Sequence, residues 1–73
     1  MTLQTFREVL AERPFKPFRL VMSRGMTYEV CRREMVFLTQ TSLVVGVGDP
    51  GDGVPAEFKI CALGEVVAIE SIA

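Results

Sequence analysis

Five basic side chains, Lys16, Arg19, Arg24, Arg32 and Arg33, fall between residues 16 and 33, close to Phe15, Phe18 and Tyr28. Cations interleaved with rings are what single-stranded nucleic acids use, phosphates pairing with the cations and bases stacking on the rings. The five form a candidate nucleic-acid patch. The wider charge does not reinforce it. Eight basic and nine acidic residues leave a net charge of −1, too little for a strong field toward nucleic acid or an anionic membrane. The charge is nevertheless uneven. Residues 1–40 hold seven basic and four acidic side chains, net +3, and residues 41–73 hold one and five, net −4.

Other reactive residues are sparse. Histidine is absent, and no nucleophile elbow, phosphate-binding loop or dinucleotide fingerprint occurs. Ser23, Ser42 and Ser71 have no recognisable base. Cys31 precedes Arg32-Arg33, which would favour a thiolate. Yet Cys31 and Cys61 both fall in predicted strands, where cysteine acts as a small buried hydrophobe. Two thiols without further soft ligands make no zinc site. Asp49 and Asp52 in Asp-Pro-Gly-Asp-Gly lack the spacing and closing glutamate of a calcium loop and read as a turn. No cofactor or metal is expected, and a non-enzymatic protein is the leading class. Pro14-Phe-Lys-Pro17 has the form of a PxxP ligand, but its phenylalanines suit a core and its place suits a joint.

These residues must be positioned by one small domain spanning residues 1–73. Thr2 can cap a first helix whose Leu3, Phe6, Val9 and Leu10 form one apolar stripe. Pro14 stops that helix. Residues 18–23 alternate with Phe18, Leu20 and Met22 inward. Arg24-Gly25 is a hairpin turn, and Met26, Tyr28 and Val30 then point inward. Short strands follow at 35–39, 43–47, 56–61 and 66–72. The continuous run Leu43-Val-Val-Gly-Val47 predicts a strand covered on both faces. Residues 48–55 are a loop. The expected fold is α+β and mostly β. One N-terminal helix precedes five or six short antiparallel strands, forming a small curved sheet or an Sm/SH3-like barrel.

Composition adds a prediction about assembly. Nearly half the residues are apolar, at 49%, whereas a chain this short buries only about 60% of its unfolded surface. Apolar surface left over predicts a homo-oligomer. The last strand, poor in charge, is the expected self-association surface through Val66, Val67, Ile69 and Ile72, either between subunits or closing onto the first strand. No apolar run reaches membrane-spanning length and residues 1–13 do not resemble a secretion signal, so a cytoplasmic location with reduced thiols is expected.

The stretches Pro-Phe-Lys-Pro-Phe-Arg-Leu…Gly-Met-Thr-Tyr-Glu-Val and Glu-Phe-Lys-Ile-Cys-Ala-Leu…Val-Ala-Ile-Glu resemble a family of small bacterial proteins of this length. That resemblance implies no known activity. The order of elements also resembles the Sm/Hfq-like fold, with Phe18-Arg-Leu-Val-Met-Ser-Arg-Gly25 at its first hairpin and Val66-Val-Ala-Ile-Glu-Ser-Ile72 at its closing strand. The Asp and Asn of the first Sm motif have no counterpart at Cys31-Arg-Arg-Glu-Met35, nor has the Arg-Gly of the second near Ala62-Leu-Gly-Glu65. The resemblance therefore implies the architecture without the RNA-binding residues. A self-associating binding or scaffold module is the first expectation. An Sm-like oligomer that binds RNA through the basic residues is the second.

Overall fold

The helix α1, Leu3–Ala11, begins where Thr2 accepts the Thr5 amide on its hydroxyl at 3.2 Å. This bond satisfies one of the amides a helix start leaves without a partner. Phe6 and Leu10 are buried, and Leu3 and Val9 pack beside them. These observations come from a computed structural model that describes residues 1–48 and 51–72. Asp49 lies outside the described residues.

After α1 the chain turns extended at Glu12, and the Arg13–Pro14 peptide is cis. The Phe15 and Phe18 rings then meet at 6.0 Å, with Phe18 buried. Pro17 accepts the Ile72 amide at 3.3 Å. The Pro-Phe-Lys-Pro segment thus joins helix to sheet.

Six antiparallel strands follow: β1 Phe18–Met22, β2 Thr27–Val30, β3 Val36–Leu38, β4 Ser42–Val47, β5 Glu57–Ala62 and β6 Val66–Ser71. They form two three-stranded sheets, ordered β2-β1-β6 and β3-β4-β5. The chain crosses between sheets at two single 3-10 turns, Arg33–Met35 and Leu63–Glu65. Each turn interrupts strand pairing, which is why the six strands divide into two sheets and do not form one continuous ladder. The last strand returns to pair with the first, Leu20 opposite Ile69.

The two sheets and the helix share one core. Leu20, Val30, Leu43 and Val45 are fully enclosed with Phe6, and Cys61 and Val66 pack among them. The helix lies at the end of the sheets between the β3–β4 turn and the start of β1, where Leu3 shares one cleft with Leu38 and Val9 another with Phe18 and Ile69. The β1–β2 hairpin turns at Gly25, whose φ of 86° suits glycine, and its amide donates to the Met22 carbonyl at 2.9 Å.

Three side chains are placed otherwise than the strand reading expects, Cys31 against the expectation of a buried cysteine and not against the alternation, which already faces it outward. Met26 is 54% exposed, because it belongs to the hairpin turn beyond the end of the core. Cys31 is exposed, because β2 ends at Val30 and the chain turns away there. Val67 is the extra residue of a β-bulge: Val21 pairs with Ala68 and Met22 with Val66, so Val67 has no partner and points outward.

Candidate functional site

The outer faces of the two sheets differ in kind. On the first, Arg19 in the middle strand lies between Glu29 of β2, at 3.0 Å, and Glu70 of β6, at 3.3 Å. Both carboxylates hold the guanidinium charged and raise its already high pKa, Glu29 first and Glu70 second. That is the wet face expected of a half-buried antiparallel sheet.

The second sheet presents hydrocarbon to solvent. Phe37, Val44 and Ile60 are cross-strand partners, so they form one row across β3, β4 and β5. Phe58 lies next to Ile60 on the same face, beside Gly46. Phe37 and Ile60 are each 69% exposed and Phe58 is 63% exposed. At Gly46 the space a side chain would take is filled by Pro55 and Met35: a Cβ there would come within 3.1 Å of Pro55 and 3.2 Å of Met35. No described element covers the row, so the face is the candidate site.

The expectation that β4 is covered on both faces meets half its terms. Leu43 and Val45 are enclosed, but Val44 stands on the open face. Phe58 and Ile60 do fall together, as the alternation of β5 requires, and they face outward because Cys61 takes the inward place. The sequence signal for this face was the run through Val44. What it lacked was any segment left over to cover it.

The predicted self-association residues of β6 separate. Val66 is in the core at 3% exposure and so cannot meet another subunit. Ile69 is half-buried against the core, and Ile72 is also half-buried. Val67 alone of the four is well exposed, on the bulge.

Four of the five basic residues have partners of different kinds. Lys16 pairs with Glu12 at 3.4 Å, Arg19 with Glu29 and Glu70, and Arg32 approaches Glu34 at 3.9 Å. Arg33 donates to the Val36 carbonyl at 3.0 Å. Arg24 occupies the β1–β2 turn. Lys16 precedes β1 and Arg24 follows it, with Arg19 and its two carboxylates between them. Of the rings, Phe18 is buried and Tyr28 half-buried.

A cleft of about 520 Å³ lies between β2 and the end of β4, with Tyr28, Glu29, Cys31 and Met35 on its walls. Among the described residues its one carboxylate, Glu29, is bonded to Arg19. Asp52 accepts the Val54 amide at 2.9 Å, closing its own turn. Among the described residues, no three His, Cys, Asp or Glu side chains converge, and no helix is long and apolar enough to cross a membrane.

The two thiols are free and unlike. Cys61 is enclosed, and burial pushes its thiol up, away from the reactive thiolate. Cys31 is open to solvent. Titration of the folded protein with a thiol reagent at neutral pH is expected to modify Cys31 alone, Cys61 reacting only after denaturant is added. Equal rates at both would place Cys61 at the surface.

Fold and site define a small α+β domain with one polar and one apolar sheet face. Comparison with protein-family models, curated proteins and solved structures gives no match.

Proposed function

We propose that this chain is a non-enzymatic, self-associating binding or scaffold module, and that the second sheet supplies its contact surface. The observation that carries this is the uncovered row Phe37–Val44–Ile60 with Phe58 beside it. Several large apolar side chains gathered on one sheet face cost solvation free energy unless something docks there. Strand β5 is also the better sheet edge for association. Strand β6 is interrupted by a bulge, a device that blunts edges, whereas β5 pairs with β4 in unbroken register. A cytoplasmic location belongs to the same reading, since an exposed free thiol suits a reducing compartment.

The RNA-binding reading has less support. Four of its five cations are divided among separate carboxylates and a backbone carbonyl, and its best ring is in the core.

Light scattering on protein purified without nuclease tests both readings. The expected result is an oligomer at tens of micromolar whose 260/280 nm absorbance is that of protein alone. Ile60→Asp is expected to raise its dissociation constant by about tenfold or more, because an apolar contact is lost and a charge is desolvated. A monomeric wild type would end the self-association proposal. Co-purifying nucleic acid that is released by salt would favour RNA binding.

A further inference from the structure

The edge of β5 away from β4 pairs with no strand among the described residues. Its hydrogen-bonding phase follows from its neighbours. The Thr39 amide donates to the Ser42 carbonyl at 2.9 Å, so in the same register Phe37 and Val44 exchange backbone bonds. Val44 therefore directs its amide and carbonyl at β3, and Leu43, Val45 and Val47 direct theirs at Cys61, Lys59 and Glu57. The bond from the Leu63 amide to the Thr41 carbonyl, at 3.0 Å, keeps this phase. Phe58 and Ile60 are left with backbone groups aimed at the open edge. The opening is bounded. The Ala56 amide is taken by the Val47 and Gly48 carbonyls, and at the other end Ile60 and Ala62 share a cleft with Met22, Arg24 and Met26 around the β1–β2 turn.

The side chains on this edge are self-complementary in one register. Glu57 and Lys59 stand on one face, 3.0 Å apart, and Phe58 and Ile60 stand on the other. A two-fold axis through Phe58 sets a second copy's β5 antiparallel to the first. Phe58 then faces its own counterpart, Glu57 faces the second copy's Lys59, and Lys59 faces its Glu57. An axis through Lys59 would set two lysines opposite each other, which is repulsive. An axis through Ile60 would set Lys59 against Cys61 and bring it no acid from the second copy. An edge lysine ordinarily deters pairing. Here Lys59 keeps its own Glu57 and gains a second one across the axis.

We propose that a second copy of this chain adds to the β5 edge about a two-fold axis at Phe58, with Glu57 and Lys59 setting the register. The inference rests on the self-association reading and gives it a geometry. Two three-stranded sheets become one of six, β3-β4-β5-β5-β4-β3. Main-chain bonds supply affinity and the charge order supplies selectivity. The two apolar rows join on one face of the dimer, where each Phe58 packs beside its counterpart.

Charge reversal on the full chain, read by sedimentation, tests this geometry. Glu57→Lys sets lysine against lysine twice and is expected to weaken the dimer about tenfold or more, and Glu57→Lys with Lys59→Glu to restore it. Glu8→Lys, the same charge change on the exposed side of α1, is expected to leave the dimer intact. Independently, Phe58→Cys in a Cys31→Ser background should oxidise to a covalent dimer. Hydrogen-bonded partners across antiparallel strands are about 5.5 Å apart at Cα, within disulfide range. Ile60→Cys in that background should stay unlinked, because its counterpart faces Ala56. A dimer that Ile60→Asp disrupts, but that ignores Glu57→Lys and links through residue 60, would overturn this register and leave self-association standing. A wild type monomeric throughout would overturn both.

Discussion

Replacing Phe6 by alanine is expected to leave most of the chain unfolded at 25 °C. Phe6 is fully enclosed and is the largest side chain on the helix stripe. Phe→Ala in a core costs about 3–5 kcal/mol. A domain below about 70–80 residues rarely draws more than about 3–5 kcal/mol from a single core. The loss is therefore comparable with the whole stability. A nine-residue helix is also too short to persist without its tertiary contacts, so helix and sheets should be lost together. Far-UV circular dichroism and a urea titration at fixed protein concentration would show it. Arg7→Ala, on the solvent side of the same helix, serves as the surface control and should shift the midpoint little. A cooperative Phe6→Ala transition close to wild type would mean that the helix is not part of the core.

The second large effect contrasts neighbours. Val66→Asp is expected to prevent folding, and Val67→Asp to be tolerated within about 0.5 kcal/mol, as surface changes usually are. Val66 is at 3% exposure and pairs with Met22, also buried, whereas Val67 is 59% exposed on the bulge. An aspartate at 66 would have to ionise in a hydrocarbon environment or remain protonated without a partner, and either state is costly there. Thermal melts of the two variants decide it. Equal tolerance at both positions would mean that the bulge does not set the facing of the last strand.

Much of the architecture was legible because its signals are local. Thr2 caps, Pro14 stops the helix, Gly25 turns the hairpin, and the period of Phe18, Leu20 and Met22 gives the inward face. Each depends on a few adjacent residues and needs no knowledge of the rest of the chain. Alternation failed where strands end or slip. Met26 lies just outside β2, and Val67 is an inserted residue that no pattern of period two announces.

The candidate site was less legible for a different reason. In β5, Phe58 and Ile60 alternate with Glu57, Lys59 and Cys61, a pattern that groups Phe58 with Ile60 without saying which face meets the core. Cys61 meets it, because the register with Leu43 places it over the enclosed face of β4. Five basic residues close in sequence likewise suggested a patch. Arg19 is instead held by Glu29 and Glu70, the latter from the far end of the chain.

By itself, then, the sequence determined the element order, the helix stripe, the turns and the surplus of apolar residues, since propensity, capping and periodicity act over a few residues. Only the tertiary structure decided the division into two sheets, the placing of Val66 inside and Val67 outside, and which sheet face was left uncovered. Those depend on strand register, and register is settled by residues forty or fifty positions apart meeting across a sheet.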